Sequence, residues 1–285
     1  AIQNWLGRMY EEGDGVAKDD SEAVKWYRKA AEQGDVHAQF NIGRMYVNGR
    51  GVATNAVEAA KWFRKAAEQG DAGGQNELGW MYGNGWGVAK DDSEALNWYR
   101  KAAWQGLADA QANLGLIYLN GKGVTKDEDM AAKWFRKAAE QGHAYAQILL
   151  GSMYENGFGV AEDEHEAVRW YCKAAEQGNV NGQYQLGYMY ANGRGVAKDD
   201  AEAVKWYCKS AERGFVDAQS KLGDMYRDGR GVAKNDAEAA KWYRKAAEQG
   251  NSSAQFNIGR AYFCGRGVKK DESEAVFWLR KSAEQ

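Results

Sequence analysis

The chain has 285 residues, with 38 basic and 40 acidic side chains and a formal net charge of −2 at pH 7. This balance offers no positive field for nucleic acid or for an anionic membrane surface, so neither is expected as a partner. No stretch of about 18 apolar residues and no charged, then apolar, then small-residue N-terminal segment is present, so we expect a soluble chain without membrane insertion or signal peptide.

Tryptophan and glycine recur every 36 residues along the chain. The tryptophans are Trp26, Trp62, Trp98, Trp134, Trp170, Trp206, Trp242 and Trp278, and the glycines are Gly7, Gly43, Gly79, Gly115, Gly151, Gly187, Gly223 and Gly259. A fixed period of this length is the signature of a solenoid, in which each unit buries its apolar face against its neighbours. We therefore predict a single domain, 1–285, of eight repeats at approximately 1–34, 35–70, 71–106, 107–142, 143–178, 179–214, 215–250 and 251–285.

The first element of each repeat is predicted to be a helix, which we call helix A. In the second repeat Ala38, Ile42 and Met45 follow the spacing of one apolar helical stripe. The helix is expected to end at Gly49, since glycine adopts the left-handed conformation of a helix C-terminus without strain. Gly43 lies inside the helix, where glycine is unfavourable, so we expect it to allow close contact with a second helix.

A Gly-x-Gly-Val turn follows, and then a second helix, helix B. It is predicted to begin at Asn55, with Glu58 three residues later as a capping box. Seven repeats have this pair, and the fourth has Met130 in place of the glutamate. Trp62 and its equivalents are expected to fill the core between helices.

This pattern resembles the Sel-one-like repeat (SLR) family, a relative of the tetratricopeptide repeat. The residues that carry the resemblance are Ala218-Gln219, Leu222-Gly223 and Met225-Tyr226, then Gly193-Arg194-Gly195-Val196, then Glu-Ala-x-Lys-Trp-Tyr and Lys-Ala-Ala-Glu-Gln-Gly. The resemblance covers the whole chain. It implies an all-α fold, a right-handed α-solenoid (superhelix) of eight helix-turn-helix repeats with helix A on the concave side. It also implies an adaptor for proteins or peptides and favours a bacterial source, while compartment, organism and partner stay open.

Catalytic and metal-binding motifs are not predicted. Gly-x-Gly-Val lacks the preceding strand and the Gly-Lys-Ser/Thr of a phosphate loop. His37, His143 and His165 have no metal-ligand spacing, so we expect no enzyme activity, no cofactor and no metal. Cys172 and Cys208 lie a full repeat apart and should remain free thiols, since stacked helices are about 8–10 Å apart and a disulfide needs less. Three cysteines leave both a periplasmic or secreted and a cytoplasmic location open.

The face of helix A opposite the core is the predicted binding surface. It varies between repeats and is apolar and aromatic in repeats three to six, with basic residues towards both ends, as in an interface with a polar rim. The candidate residues are Trp80, Leu116, Tyr145, Leu149, Tyr184 and Tyr188, flanked by Arg44 and Arg260.

Two alternatives remain open at this point. Trp86, Trp104 and Phe158 replace polar residues of other repeats and form a second candidate patch at the loop edge, or serve local packing. Neither terminus shows a polar capping helix, so the chain is expected to be a segment of a longer array. Stacking end to end, or dimerisation through uncapped ends, is therefore the alternative to a scaffold that binds another protein.

Overall fold

Sixteen α-helices, two in each repeat, form the part of the chain that the computed structural model describes, residues 1–284. Odd-numbered helices are the A helices and even-numbered helices are the B helices. They are α1 (Ile2–Glu12), α2 (Asp20–Glu32), α3 (Val36–Asn48), α4 (Ala56–Glu68), α5 (Ala72–Asn84), α6 (Asp92–Trp104), α7 (Ala108–Asn120), α8 (Glu128–Glu140), α9 (Ala144–Asn156), α10 (Glu164–Glu176), α11 (Val180–Asn192), α12 (Asp200–Glu212), α13 (Val216–Asp228), α14 (Asp236–Glu248), α15 (Ser252–Cys264) and α16 (Glu272–Ala283). No strand occurs among these residues, which confirms the all-α repeat fold.

The helices form two compact units. The first spans Ala1–His143, with α1 to α8, and the second spans Ala144–Gln285, with α9 to α16. Within each unit an A helix packs against the B helix of its own repeat and against the B helix of the preceding repeat. The predicted stripe of Ala38, Ile42 and Met45 is buried in the core, as expected.

The predicted N-terminus of helix B is confirmed, but its capping differs from a full capping box. The side chain of Asn55 accepts a hydrogen bond from the backbone N–H of Glu58 at 3.1 Å. The Glu58 side chain pairs with Lys61 instead of returning to Asn55, and the backbone N–H of Asn55 donates to the carbonyl of Tyr46. The glutamate is therefore dispensable for the cap. This explains why Met130, which has no carboxylate, still follows a capped terminus.

The helix A glycine lies against the aromatic residue that follows the repeated tryptophan. A Cβ built on Gly43 would lie 2.6 Å from the ring of Phe63, which is fully buried. The same glycine meets a tyrosine or phenylalanine ring in the first seven repeats and Leu279 in the eighth. The close contact between helices A and B that the sequence predicts is confirmed, because any larger residue would overlap the ring.

The Gly-x-Gly-Val turn is structural. Gly51 has φ +64°, and a Cβ on it would lie 2.1 Å from the backbone oxygen of Asp20 in the preceding repeat. Glycine is the residue that combines a positive φ with so close an approach of two backbones. The turn therefore fixes one repeat against the next, and its second glycine serves that contact.

Gln39, a buried glutamine of helix A, links the B helices of the first and second repeats. Gln39 donates its side-chain amide to the carbonyl of Ala31 at 3.1 Å and accepts from Gln69 at 2.7 Å. We call this pair of bonds the glutamine clasp. Equivalent glutamine pairs at 2.7–2.8 Å are Gln75 with Gln105, Gln111 with Gln141, Gln147 with Gln177, and Gln219 with Gln249.

The repeated tryptophans lie at the outer margin of the core. Trp62 and Trp134 are buried, whereas Trp26, Trp98 and Trp206 are half-buried. The lysine three residues later covers the ring, as Lys65 does over Trp62 at 4.1 Å from the ring centroid. The tryptophans are thus core residues in part, and a cation–π contact shields the rest. The three cysteines are free thiols, as predicted for Cys172 and Cys208.

Candidate functional site

Five of the eight predicted binding residues occupy a single position of the repeat. They are Arg44, Trp80, Leu116, Tyr188 and Arg260, each one repeat or a multiple of it apart. Arg44, Trp80 and Arg260 are exposed, whereas Leu116 and Tyr188 are half-buried. Trp80 exposes 44% of its surface, which is large for a tryptophan in a folded chain. This position therefore presents a different chemistry to solvent in each repeat.

That position lines a recurring pocket between the A helices of neighbouring repeats. Its floor is the tyrosine of helix B, and one wall is the central residue of the Gly-x-Gly turn of the next repeat. Pocket 1/2 is lined by Glu11, Tyr27, Arg44 and Arg50, pocket 3/4 by Gly83, Tyr99, Leu116 and Lys122, and pocket 7/8 by Arg227, Tyr243, Arg260 and Arg266. Their volumes are about 620, 230 and 380 Å³ in that order.

Pocket 1/2 is crossed by an ion-pair network. Arg50 lies 2.8 Å from a carboxylate oxygen of Glu11 and 2.6 Å from one of Asp20. Glu11 also accepts a hydrogen bond from the hydroxyl of Tyr27 at 2.6 Å. The hydrogen bond from Arg50 holds the pKa of Asp20 below its usual value, and burial, reinforced by Glu11, raises the pKa of Tyr27. Glu11 and Asp20 are thus already bound by Arg50 and Tyr27 of the same chain.

Pocket 3/4 lacks that network because Gly83 takes the place of Glu11. A Cβ on Gly83 would meet only the Cβ of Ala95, at 3.7 Å, so the space above Tyr99 is open. Leu116 and Asn113 line the opposite side, and Asn113 donates to Asn76 at 3.1 Å. Asp92 and Lys122 also line the pocket with opposite charges. A partly apolar pocket without net charge results, of a kind that suits one uncharged side chain of a ligand.

Glu77 lies half-buried on α5, one turn before Trp80. Burial raises the pKa of Glu77 above its ordinary value, and the charge of Asp109 raises it further. The amide of Asn76 and the charge of Arg44 oppose this rise. The Asn76 hydrogen bond is long, at 3.4 Å, so it compensates the buried carboxylate only weakly.

Trp86 differs from its predicted place in an exposed loop-edge patch. It is half-buried against the core of the first unit, against which Val47 and Ala56 also pack. Its ring also contacts Trp80 edge-to-face, with ring centroids 5.7 Å apart. The reason is a matched replacement. Trp86 occupies the position of Arg50, while Val47 and Ala56 occupy those of its partners Glu11 and Asp20. Apolar side chains thus take all three positions of the ion-pair network.

Pocket 7/8 is cationic. Arg227 takes the position of Glu11 and pairs with Asp228 at 2.7 Å and Asp224 at 3.2 Å. The hydrogen bond from Arg227 lowers the pKa of Asp228, so this carboxylate stays ionised and engaged. Arg260, Arg266 and Lys234 also line the pocket, and within residues 1–284 none of these three takes part in an ion pair.

The other predicted residues of the second unit differ in accessibility. Tyr145 exposes 47% of its surface, whereas Leu149 is half-buried. Tyr184 packs against Phe215 and Tyr207, with ring centroids 5.2 and 5.8 Å apart. Tyr184 therefore contributes to packing between repeats, which leaves Tyr145 as the most accessible aromatic side chain of this group.

The remaining loop-edge residues are exposed. Trp104 exposes 73% of its surface, although it leans edge-to-face on Trp134 of the next repeat at 5.5 Å. Phe158 exposes 50%. In contrast to Trp86, these two side chains match the expected exposure, and Trp104 lies on helix B, apart from the pockets.

Two features of the pockets were missed in the sequence. One is the role of the turn residue as a pocket wall, and the other is the opening left by Gly83. Comparison of the repeats does contain the signal. Where the residue near the end of helix A is a glutamate, Glu11 or Glu155, it accepts a hydrogen bond from a tyrosine hydroxyl of helix B. In the repeats of Phe63 and Phe135, which lack this hydroxyl, the same position holds Val47 and Leu119.

Residues 1–284 contain no group of three or more His, Cys, Asp or Glu side chains placed to hold a metal ion. None of the helices in this range combines the length and apolar character that crossing a membrane requires.

The family model for the Sel1 repeat matches eight segments: residues 3–35, 36–71, 72–107, 108–143, 144–179, 180–215, 216–251 and 252–285. Among solved structures, the chain is similar to c5321, a protective antigen of uropathogenic Escherichia coli with an SLR fold. The identity is 40% and the TM-score 0.76, over 99% of this chain and 68% of that one. A Sel1 repeat protein from Oxalobacter formigenes is 38% identical with a TM-score of 0.76, over 99% and 82% of the two chains. No curated protein sequence gives a significant match.

Proposed function

Because the chain belongs to the Sel1 repeat family, whose repeats commonly mediate protein–protein interaction, we propose that it is a non-enzymatic scaffold or adaptor that binds a peptide or protein surface on its helix A face. Pocket 3/4 carries this proposal. There Gly83 leaves open, above Tyr99, the space that Glu11 fills in pocket 1/2, and the exposed Trp80 lies one helical turn before Gly83 on the same helix.

Repeat comparison separates these side chains from the needs of the fold. The interhelical contacts, the turn and the glutamine clasp use other positions. Trp80 and Leu116 stand where five other repeats have Arg, Ser or Asp and one has Tyr188, so no packing role shared by all repeats requires an apolar residue there. Exposed apolar side chains beside a cavity are typical of binding sites, and tryptophan is among the residues that contribute most to binding.

The size of pocket 3/4 suits one side chain of a ligand. Its volume of about 230 Å³ is several times the roughly 30 Å³ that one water molecule occupies in the liquid. Leu116 and the Tyr99 ring supply apolar contact, and Asn113 and Asn120 supply polar groups at the margin. We expect an apolar or aromatic side chain of an extended segment to enter this pocket, and a neighbouring part of the same segment to contact the exposed Trp80.

In the second unit, Tyr145 and Leu149 provide a separate helix A surface for the same kind of contact, with Tyr188 as a further candidate. Arg44 and Arg260 extend the two surfaces with positive charge. These residues support a scaffold with more than one contact point, each on its own unit.

The test is selection of peptides from a random display library on the immobilised protein, followed by affinity measurement on variants. The Trp80→Ala, Leu116→Ala double variant should lose at least about 2 kcal/mol of binding free energy, the level of a binding hot spot. Val57→Ala is the control, since Val57 is exposed on helix B. It should bind normally.

Two outcomes would contradict this assignment. Normal binding by the double variant, together with loss in Trp104→Ala or Phe158→Ala, would place the binding surface at the loop edge. A molecular mass that rises with protein concentration, and falls to that of the monomer in the double variant, would make a second copy of the chain the occupant of pocket 3/4.

A further inference from the structure

We propose that pocket 7/8, in the second unit, binds an acidic polypeptide segment through Arg266, Arg260 and Lys234. This inference rests on the proposed scaffold function and names the chemistry of one ligand. It uses other residues than pocket 3/4, so the two can fail separately.

Among the described residues, Arg266 lacks one of the two partners that Arg50 and Arg194 have, and it is not paired with the acid at the other partner position, Asp236. Arg50 binds Glu11 and Asp20. Arg194 binds Glu155 and Glu164 in the same way, and Arg230 binds Asp200 at 2.6 Å. At the junction of the seventh and eighth repeats, the residue equivalent to Glu11 is Arg227, a second cation. The exposed Arg266 forms no ion pair within the described part of the chain, so its five N–H donors are available to a ligand.

The acidic residues of pocket 7/8 do not neutralise it. Asp228 receives two hydrogen bonds from Arg227, at 2.7 and 2.8 Å. Asp224, which also pairs with Arg227, accepts the hydroxyl of Tyr243 at 2.7 Å. Arg227 therefore offsets the charge of one of these carboxylates, and both are already engaged by Arg227 and Tyr243. Asp236 is the single further acid lining the pocket, against three cations.

The shape of the pocket favours a side-chain carboxylate over a small free anion. Its volume is about 380 Å³, and Ala239, Ala240 and Ala261 contribute an apolar wall beside the cations. A glutamate can place its methylene groups on this wall while its carboxylate meets a guanidinium in the paired geometry that arginine offers. Several cations in one pocket further favour a segment with more than one acidic residue.

The probe is a fluorescent nine-residue peptide with blocked ends, in which four glutamates alternate with alanines. A matched peptide has glutamine at the four positions. Fluorescence polarisation at low salt should show binding of the glutamate peptide, and the glutamine peptide should bind at least about tenfold more weakly, because charge-assisted bonds are about twice as strong as neutral ones.

The variants locate the binding site. Arg266→Gln combined with Arg260→Gln should weaken binding of the glutamate peptide at least about tenfold, as expected for loss of charge-assisted hydrogen bonds. Arg169→Gln is the control in the same unit, since Arg169 is exposed on helix B and pairs with Glu166. It should leave the affinity unchanged, and circular dichroism should show that all three proteins remain folded.

The inference is overturned if the double variant binds the glutamate peptide as the original chain does, or if both peptides bind equally. Tighter binding of an oligothymidine that competes with the peptide would make the pocket a nucleic-acid site instead. The Trp80→Ala, Leu116→Ala variant should retain the glutamate peptide, so a negative result here leaves the proposed scaffold function untouched.

Discussion

Arg213 occupies the clasp position opposite Gln183, but its guanidinium donates to the carbonyl of Gly178 instead of to Gln183. Gln183 still donates to the carbonyl of Ala175 at 3.3 Å, while its own buried side-chain oxygen accepts no hydrogen bond. One half of the clasp is therefore missing at this junction. A buried acceptor without a partner lowers stability, because it loses its hydrogen bonds to water on folding and no bond within the protein replaces them.

Arg213→Gln should restore this bond. We expect the free energy of unfolding to rise by about 0.5–1.5 kcal/mol, the usual net value of one hydrogen bond. The reciprocal change, Gln249→Arg, removes the 2.8 Å bond to Gln219 and should lower stability by a similar amount. Urea titration of both variants measures the difference. A decrease in Arg213→Gln would show that the bond to Gly178 matters more than the clasp.

Two glycines of A helices should respond in opposite directions to alanine. Gly43→Ala places a Cβ 2.6 Å from the Phe63 ring, so overpacking should cost about 1–3 kcal/mol. Gly83→Ala meets Ala95 at an ordinary 3.7 Å and gains helix propensity, which should raise stability by up to about 1 kcal/mol. Thermal and urea unfolding test both. Equal effects would contradict the packing described for Gly43.

Gly83→Glu should close pocket 3/4. The new carboxylate would stand where Glu11 binds the Tyr27 hydroxyl, and it can accept from Tyr99 in the same way. We expect the variant to be folded and to bind the peptides selected on pocket 3/4 at least about tenfold more weakly, since filling the pocket removes the space for the ligand side chain. Unchanged affinity would show that the ligand does not enter there.

Trp86 should be replaceable by arginine only together with its neighbours. Trp86→Arg alone places a charge against Val47 and Ala56 and should cost about 1–3 kcal/mol. Adding Val47→Glu and Ala56→Asp recreates the partners of Arg50 and should recover part of that loss, with a coupling energy above about 0.5 kcal/mol. A mutant cycle by urea unfolding gives this coupling, and additive effects would refute the matched replacement.

Glu77 should destabilise the fold at neutral pH. Burial raises its pKa in the folded chain above the ordinary value of 4.5. Between the pKa of Glu77 in the unfolded chain and its higher pKa in the folded chain, the folded chain holds more protons. The free energy of unfolding therefore falls as the pH rises from 4.5 until the folded pKa is passed. Glu77→Gln should therefore be more stable than the original chain at pH 7 and equal to it below pH 4.5. Glu68→Gln, which removes the charge of an exposed acid on helix B, is the control variant.

The sequence predicts the helices and their contacts well because each repeat repeats the same physical requirements. Gly43 and Asn55 each satisfy a local rule that recurs with the period. The pockets obey no local rule, since each is built from three elements of two repeats. The pocket at Gly83 is recognised only when Gly83 is compared with its equivalent, Glu11. The burial of Trp86 is expected only when the apolar residues at its partner positions, Val47 and Ala56, are considered together with it.

The matched sets at the junctions also restrict how such a chain can change its number of repeats. The glutamine clasp and the turn glycine would accept nearly any neighbour, but the turn residue would not. Consider a second copy of the third repeat, inserted directly after the original third repeat. Its Trp86 would lie against Gly83 and Asp92 of the original instead of Val47 and Ala56. Gain or loss of repeats is therefore constrained by the charge and size of single side chains at the new junction, so that whole blocks with compatible ends are easier to duplicate than single repeats.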